Sequence, residues 1–193
     1  MPLNLFIIGP SGCGKTTQAK KIAEKYSLSH ISMGQLLRDE ITKKSGFGLE
    51  AKKYIDDGQL VPDDLVFDVL ILKLKSLNYQ NFIIDGFPRI LNQGRIIEFY
   101  LRKQNMPISA VIHLGVTFAE ITDRRVKMGD DFQDKTRTDN TPADIANRQK
   151  FYDDNIEPIR DYFTRKSEFI DIDGNRPIEP IFEDICLAIN KLL

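Results

Sequence analysis

Short apolar runs alternate along the chain with longer stretches in which apolar residues recur at helical spacing. The short runs lie at residues 5–8, 30–31, 82–84, 110–114 and 169–172. Several read as continuous apolar runs, with 5–8 and 82–84 apolar at every position, as strands covered on both faces are. Helix starts stand between them. Thr117 with Glu120, Ser32 with Gln35, and Thr141 with Asp144 each fit a capping box, the last with Pro142 at the first helical position. Pro62-Asp63-Asp64 opens a further helix, its proline and two acids suited to the positive end of the dipole. That helix runs to about residue 77 and is apolar on nearly all sides, so it is expected to be buried. Strand–helix alternation of this kind predicts an α/β fold of three layers around a five-stranded parallel sheet. Ligands of such folds bind beyond the carboxyl ends of the strands.

Composition narrows the partners. The 193 residues, 41% of them hydrophobic, suffice for one domain (1–193) with a sizeable core. Twenty-seven basic residues face 28 acidic ones, so there is no electrostatic case for nucleic-acid binding, and any anion site has to be local. No apolar run approaches the ~20 residues of a membrane span, and residues 1–4 lack the basic region of a signal peptide. Cys13 and Cys186 show neither metal-ligand spacing nor a disulfide framework. A cytoplasmic protein with no membrane or nucleic-acid partner is expected.

The first apolar run is followed at once by GPSGCGKTTQ, residues 9–18. Gly9-x-x-x-x-Gly14-Lys15-Thr16 matches the phosphate-binding P-loop in full. Glycines, Gly12 and Gly14 among them, let consecutive backbone N–H groups point into one concavity, and the helix that follows adds its positive end. Lys15 is placed to reach the β- and γ-phosphates, and the Thr16 hydroxyl to ligate Mg²⁺. A glycine-rich turn that merely capped a helix would not need Gly, Lys and Thr at these offsets behind a buried strand. Cys13 reads as a small loop residue whose nearness to the helix N-terminus favours some reactivity. A second stretch, NFIIDGFPR, puts Asp85 at the carboxyl end of another strand, where a carboxylate suits a water-mediated Mg²⁺ contact. His30 and His113 fall on strand candidates and are expected to be packed.

Taken together, GPSGCGKTTQ, HISMGQLLRDEI, YIDDGQLVPDDLV, NFIIDGFPRILNQ and DIANRQKFYDDNIEPI resemble the adenylate kinase family of nucleoside monophosphate kinases in its short-lid form. The resemblance covers nearly the whole chain. It implies ATP and AMP as substrates, Mg²⁺ as cofactor, and a monomer. It also implies an acceptor-binding excursion near residues 32–62 and a short lid near 127–140. By resemblance, Gly12, Cys13, Gly14, Lys15, Thr16 and Thr17 cradle ATP, and Arg124 stacks on its base. Periodicity alone does not separate Arg124 from Arg125, since both neighbour Ile121 at helical spacing. Arg38 and Arg89 clamp the acceptor phosphate, Gly86 lies beside it, and Met33, Gln59, Val61 and Gln93 surround its base. Lys15, Arg89, Arg137 and Arg148 form the implied catalytic set, the last two closing from the lid side.

Three positions depart from the family's pattern. Met33 stands where a threonine is usual, Thr16 replaces a glycine, and Met128 falls where a further phosphate-binding arginine is expected. The lid segment contains no Cys or His, so it holds no structural zinc. The expected reaction is reversible transfer of a phosphoryl group from Mg²⁺·ATP to AMP, giving two ADP. It needs no general base, because the acceptor oxygen is already ionised. A pyrimidine (UMP/CMP) monophosphate kinase and a non-catalytic nucleotide-binding module are the alternatives. Gln93 satisfies the donor–acceptor edge of adenine. A freely turning amide would suit guanine equally, so pairing alone does not separate the two purines.

Overall fold

The computed structural model describes residues 2–56, 61–128, 142–166 and 168–193. Its five strands are β1 (Asn4–Ile8), β2 (Ser29–Ser32), β3 (Phe82–Asp85), β4 (Ala110–Gly115) and β5 (Phe169–Asp173). They form one wholly parallel sheet in the order β2-β3-β1-β4-β5. Each predicted apolar run is a strand. The helices are α1 (Lys15–Tyr26), α2 (Met33–Thr42), α3 (Gly46–Asp56), α4 (Asp63–Ser76), α5 (Leu91–Lys103), α6 (Phe118–Met128), α7 (Pro142–Thr164) and α8 (Ile178–Asn190).

Alternation along the central strand divides the core in two. Leu5 and Ile7 of β1 point to one face, where they meet Ile22 of α1 and Ile185 of α8. Phe6 and Ile8 point to the other, against Leu70 of α4, Ile97 of α5 and Ile159 of α7. This explains why residues 5–8 of β1 read as an unbroken apolar run, since every position of the strand is covered.

Three details differ from expectation. Pro62 is the N-cap of α4 and not its first helical residue. Helix α4 is buried on one side only: Leu65, Val66, Val69, Leu70 and Leu74 are covered, but Leu72 is 53% exposed. Ser32 caps α2 through its extended backbone, with no side-chain hydrogen bond. The Thr117 cap is present, its hydroxyl accepting from the Glu120 N–H at 3.3 Å. Helix α7 starts at Pro142 as expected, while Thr141 lies outside the described residues.

Helix α7 is fixed at two places. Near its middle, Tyr152 bonds to the buried ring of His113 on β4, whose other nitrogen meets Asp171 of β5 at 2.6 Å. His113 is thus the packed histidine expected from sequence. At the far end, the buried carboxylate of Glu98 on α5 accepts from Arg102 at 2.5 Å, Tyr162 at 2.6 Å and Lys166 at 2.8 Å. Burial would raise the pKa of Glu98, but Lys166, Tyr162 and Arg102 outweigh it and hold the pKa below the ordinary carboxylate value. The carboxylate therefore stabilises the fold above the unfolded-state pKa of 4.5, and that contribution is lost as the pH falls through the lowered folded value. Arg102 is half exposed, which weakens its share. Glu98→Ala is expected to cost about 1–3 kcal/mol at pH 7. Urea unfolding of both proteins at pH 7 and at pH 3 checks this, with the difference shrinking at the lower pH.

Candidate functional site

The site is built where strands end. Parallel pairing of β1 with β3 sets Ile7 opposite Asp85, and the Gly86 N–H extends the ladder to the Ile7 carbonyl at 3.0 Å. The loop after β1 is thereby brought beside the Asp85 carboxylate. Gly9 lets that loop lie against the end of β4, since a Cβ there would stand 2.6 Å from the Leu114 carbonyl oxygen. Gly14 has φ of +95°, a left-handed conformation natural only to glycine, and hands the chain directly into α1. The first turn of α1 then carries Lys15, Thr16 and Thr17 on the rim of the concavity. Lys15 is folded over its own loop, Nζ donating to the Pro10 carbonyl at 2.9 Å.

Asp85 is the electrostatic centre. Its Oδ2 accepts from the Thr16 hydroxyl at 2.5 Å, and the His30 ring stands 3.7 Å away, beyond hydrogen-bond length. Burial would raise the pKa of this carboxyl. The His30 ring, the Lys15 ammonium and the Thr16 hydroxyl outweigh that and hold it below the ordinary carboxylate range. Its Oδ1 is buried and has no hydrogen-bond partner among the described residues. A buried anionic oxygen with spare lone pairs beside a threonine hydroxyl is a donor set that fits a hydrated divalent cation. Among the described residues, no cluster of three His, Cys, Asp or Glu side chains is present.

A second set of polar side chains lies across Asp85 from the loop, since β3 stands between β1 and β2 in the sheet. Arg38, on α2, passes over Gly34, where a Cβ would come within 3.2 Å of Nη1, and it donates to Gln35 at 2.9 Å. Arg89 follows β3 and donates through Nε to the Gly86 carbonyl at 3.2 Å. Gln93, in the first turn of α5, is engaged at both ends. Oε1 accepts from the Arg89 backbone N–H at 2.8 Å, and Nε2 donates to Asp63 at 2.6 Å. The amide is thus not free to turn, contrary to the sequence reading. Met33 sits under this side with 2% of its surface exposed, packed in the core cluster.

Arg124 reaches in from α6. Its guanidinium donates to the carbonyls of Cys13 at 3.1 Å, Gly174 at 2.6 Å and Arg176 at 3.3 Å, and to Glu120 at 2.8 Å. It therefore braces the back of the loop. Arg148 sits on the cleft-facing side of α7, one turn before Tyr152, its Nε donating to the Asp144 carbonyl at 3.2 Å.

A single cleft of about 2270 Å³ is lined by every one of these groups. It brings together Gly12, Cys13, Gly14, Lys15, Thr16, Thr17, Arg124, Met33, Arg38, Val61, Asp85, Gly86, Arg89, Gln93 and Arg148. Gln59, Arg137 and residues 129–140 of the expected lid lie outside the described residues, as does the side chain of Met128. His30 and Asp63 also line the cleft, beside Asp85 and Gln93 respectively, without a site role in the sequence analysis. His30 is packed as expected but keeps 19% of its side chain exposed beside Asp85. Asp63 was read only as a helix-dipole residue.

A parallel α/β sheet with a P-loop on its central strand and a carboxylate ending the next strand defines a P-loop nucleotide-binding protein. Comparison narrows the class. The adenylate kinase family model matches residues 7–168. The chain is 37% identical to the adenylate kinase of Bacteroides fragilis over 191 residues, 98% of this chain and 100% of that one. It is 34% identical to that of Archaeoglobus fulgidus over 98% of this chain and 99% of that one. The chain belongs to the adenylate kinase family.

Cys13 differs from the sequence reading. Its thiol is covered by the loop, and burial pushes its pKa up against the pull of the Lys15 charge. Cys186 is buried as well. A thiol-specific reagent at pH 7 is expected to label neither cysteine at the rate of a free thiol until denaturant is added. Rapid labelling of Cys13 in the native protein would contradict this environment.

Proposed function

We propose that this chain is an adenylate kinase that reversibly transfers the γ-phosphoryl group of Mg²⁺·ATP to AMP, yielding two ADP. One observation carries the reading. A single cleft has a P-loop on one side of Asp85 and a two-arginine, one-glutamine acceptor side on the other.

In this reading the donor's phosphates lie in the N–H concavity of residues 9–14, and Lys15 exchanges the Pro10 carbonyl for β- and γ-phosphate oxygens. Arg124 spends its in-plane donors on Cys13, Gly174, Arg176 and Glu120 and leaves the flat faces of its guanidinium for the donor base. Thr16 and Asp85 would hold a Mg²⁺ ion, Asp85 through water. When bound, the ion neutralises phosphate charge. Arg38 and Arg89 hold the acceptor phosphate, with Gly86 beside it. Gln93, Val61, Gln59 and Met33 surround the acceptor base. Arg148 and Arg137 add positive charge from the side of α7 and the lid. Two phosphate groups repel, and a ring of guanidiniums is the natural remedy. The acceptor oxygen is already an anion, so alignment and charge stabilisation carry the catalysis. Residues 32–62 act as the acceptor excursion and 127–140 as a short lid, closing to exclude water from the transfer. The enzyme is read as a cytoplasmic monomer. Both cysteines are free thiols.

A coupled assay for nucleoside diphosphate formation tests the reading with AMP, dAMP, UMP, CMP and GMP. AMP is expected to have the highest kcat/KM and dAMP the next. UMP or CMP in first place would instead indicate a pyrimidine kinase, and absence of turnover with all five a binding module. Lys15→Met removes a charge that acts on the transition state and is expected to lower kcat by about 10²–10³ with the fold retained by circular dichroism.

A further inference from the structure

The Gln93 carboxamide is held between a fixed donor and a fixed acceptor. The Arg89 backbone N–H is only a donor, and it meets Oε1 at 2.8 Å. The Asp63 carboxylate is only an acceptor, and it meets Nε2 at 2.6 Å. Turning the amide over would set an NH₂ group against an N–H and a carbonyl oxygen against a carboxylate. Both contacts would become repulsive, in a place where Gln93 is largely shut off from water. Each amide atom still keeps one site, namely a second lone pair on Oε1 and a second hydrogen on Nε2.

We propose that Asp63 is a specificity-determining positioning residue: it locks the Gln93 amide in the one orientation that accepts 6-aminopurine and rejects 6-oxopurine acceptors. The inference rests on the reading that Gln93 meets the acceptor base. With the lock in place, the free lone pair of Oε1 accepts from the adenine N6–H₂ and the free hydrogen of Nε2 is donated to N1. Guanine and hypoxanthine present a carbonyl oxygen at position 6 and an N–H at position 1. Against a locked amide, oxygen faces oxygen and N–H faces N–H. Asp63 touches no substrate in this arrangement and acts through Gln93. Its place in the first turn of α4 also puts it near the helix dipole, a role it shares with Asp64.

IMP is the informative probe, because it has the 6-oxo pattern of GMP without the 2-amino group and so isolates the direction of the amide from steric exclusion. In the unaltered protein the ratio of kcat/KM for AMP over IMP is expected to be roughly 10² or more, since two buried polar contacts are mismatched. Asp63→Ala is expected to shrink that ratio by about tenfold, each unpaired buried group being worth about that factor. Asp63→Asn keeps an acceptor oxygen toward Nε2 and is expected to preserve most of the ratio. Asp64→Ala, in the same helical turn, is expected to leave it unchanged. An unchanged ratio in Asp63→Ala, or a collapse in Asp63→Asn or Asp64→Ala, overturns the lock. If Asp63→Ala does not fold, hydrogen exchange at the Gln93 side-chain amide of the unaltered protein decides. One slowly exchanging proton, held by Asp63, supports the proposal, and two fast ones refute it. Gln93→Leu separates the two layers of argument. A ratio that survives Gln93→Leu defeats the reading of Gln93 itself. A ratio lost there but intact in Asp63→Ala defeats only the lock.

Discussion

The parallel register that sets Ile7 beside Asp85 is the constraint on which the site depends. It brings the P-loop and a buried carboxylate to the same level of the sheet, and the Thr16–Asp85 hydrogen bond ties the two together. A carboxylate is costly to bury alone. Here the neighbouring His30 and Lys15 keep it ionised, and its second oxygen stays available. The negative centre and the positive concavity therefore stabilise one another before any phosphate enters.

The rest of the cleft is organised around that centre. Arg38, Arg89 and Gln93 are carried by β3, which continues through Gly86 and Arg89 into the first turn of α5, and by α2, which starts directly after β2. Because β2 neighbours β3 in the sheet, the two arginine-bearing segments flank the same strand end. Helix α7 approaches from the other side, held to β4 and β5 by Tyr152, His113 and Asp171 and to α5 by Glu98. The first of these ties, at Tyr152, lies one turn from Arg148 and itself borders the cleft. Rigid anchoring of this kind lets a helix present one charged side chain, Arg148, at a fixed height.

Much of this was legible in the residues. The strands were visible because β1, β3 and most of β4 are covered on both faces and so carry unbroken apolar runs. The P-loop was visible because phosphate binding demands glycines, a lysine and a hydroxyl at fixed offsets. What escaped was two-body geometry. No pattern along the chain says that Asp63 and Gln93, thirty residues apart, share a hydrogen bond, or that His30 borders Asp85. The environment of Cys13 is hidden for a related reason: a helix N-terminus favours the thiolate, but burial opposes it, and burial is a property of the packed loop. The composition of α4 predicts burial on nearly all sides, but exposed Leu72 shows that composition alone does not fix which positions are covered.

The central claim is that one cleft receives two nucleotides, one on each side of Asp85. The most direct measurement is hydrogen exchange of the protein with a bisubstrate analogue, two adenosines joined by a polyphosphate chain, with the binding stoichiometry determined by calorimetry. One analogue per chain, with amides protected both in residues 9–17 and in α2, is the predicted result. Two analogues per chain, or protection confined to residues 9–17, would contradict it.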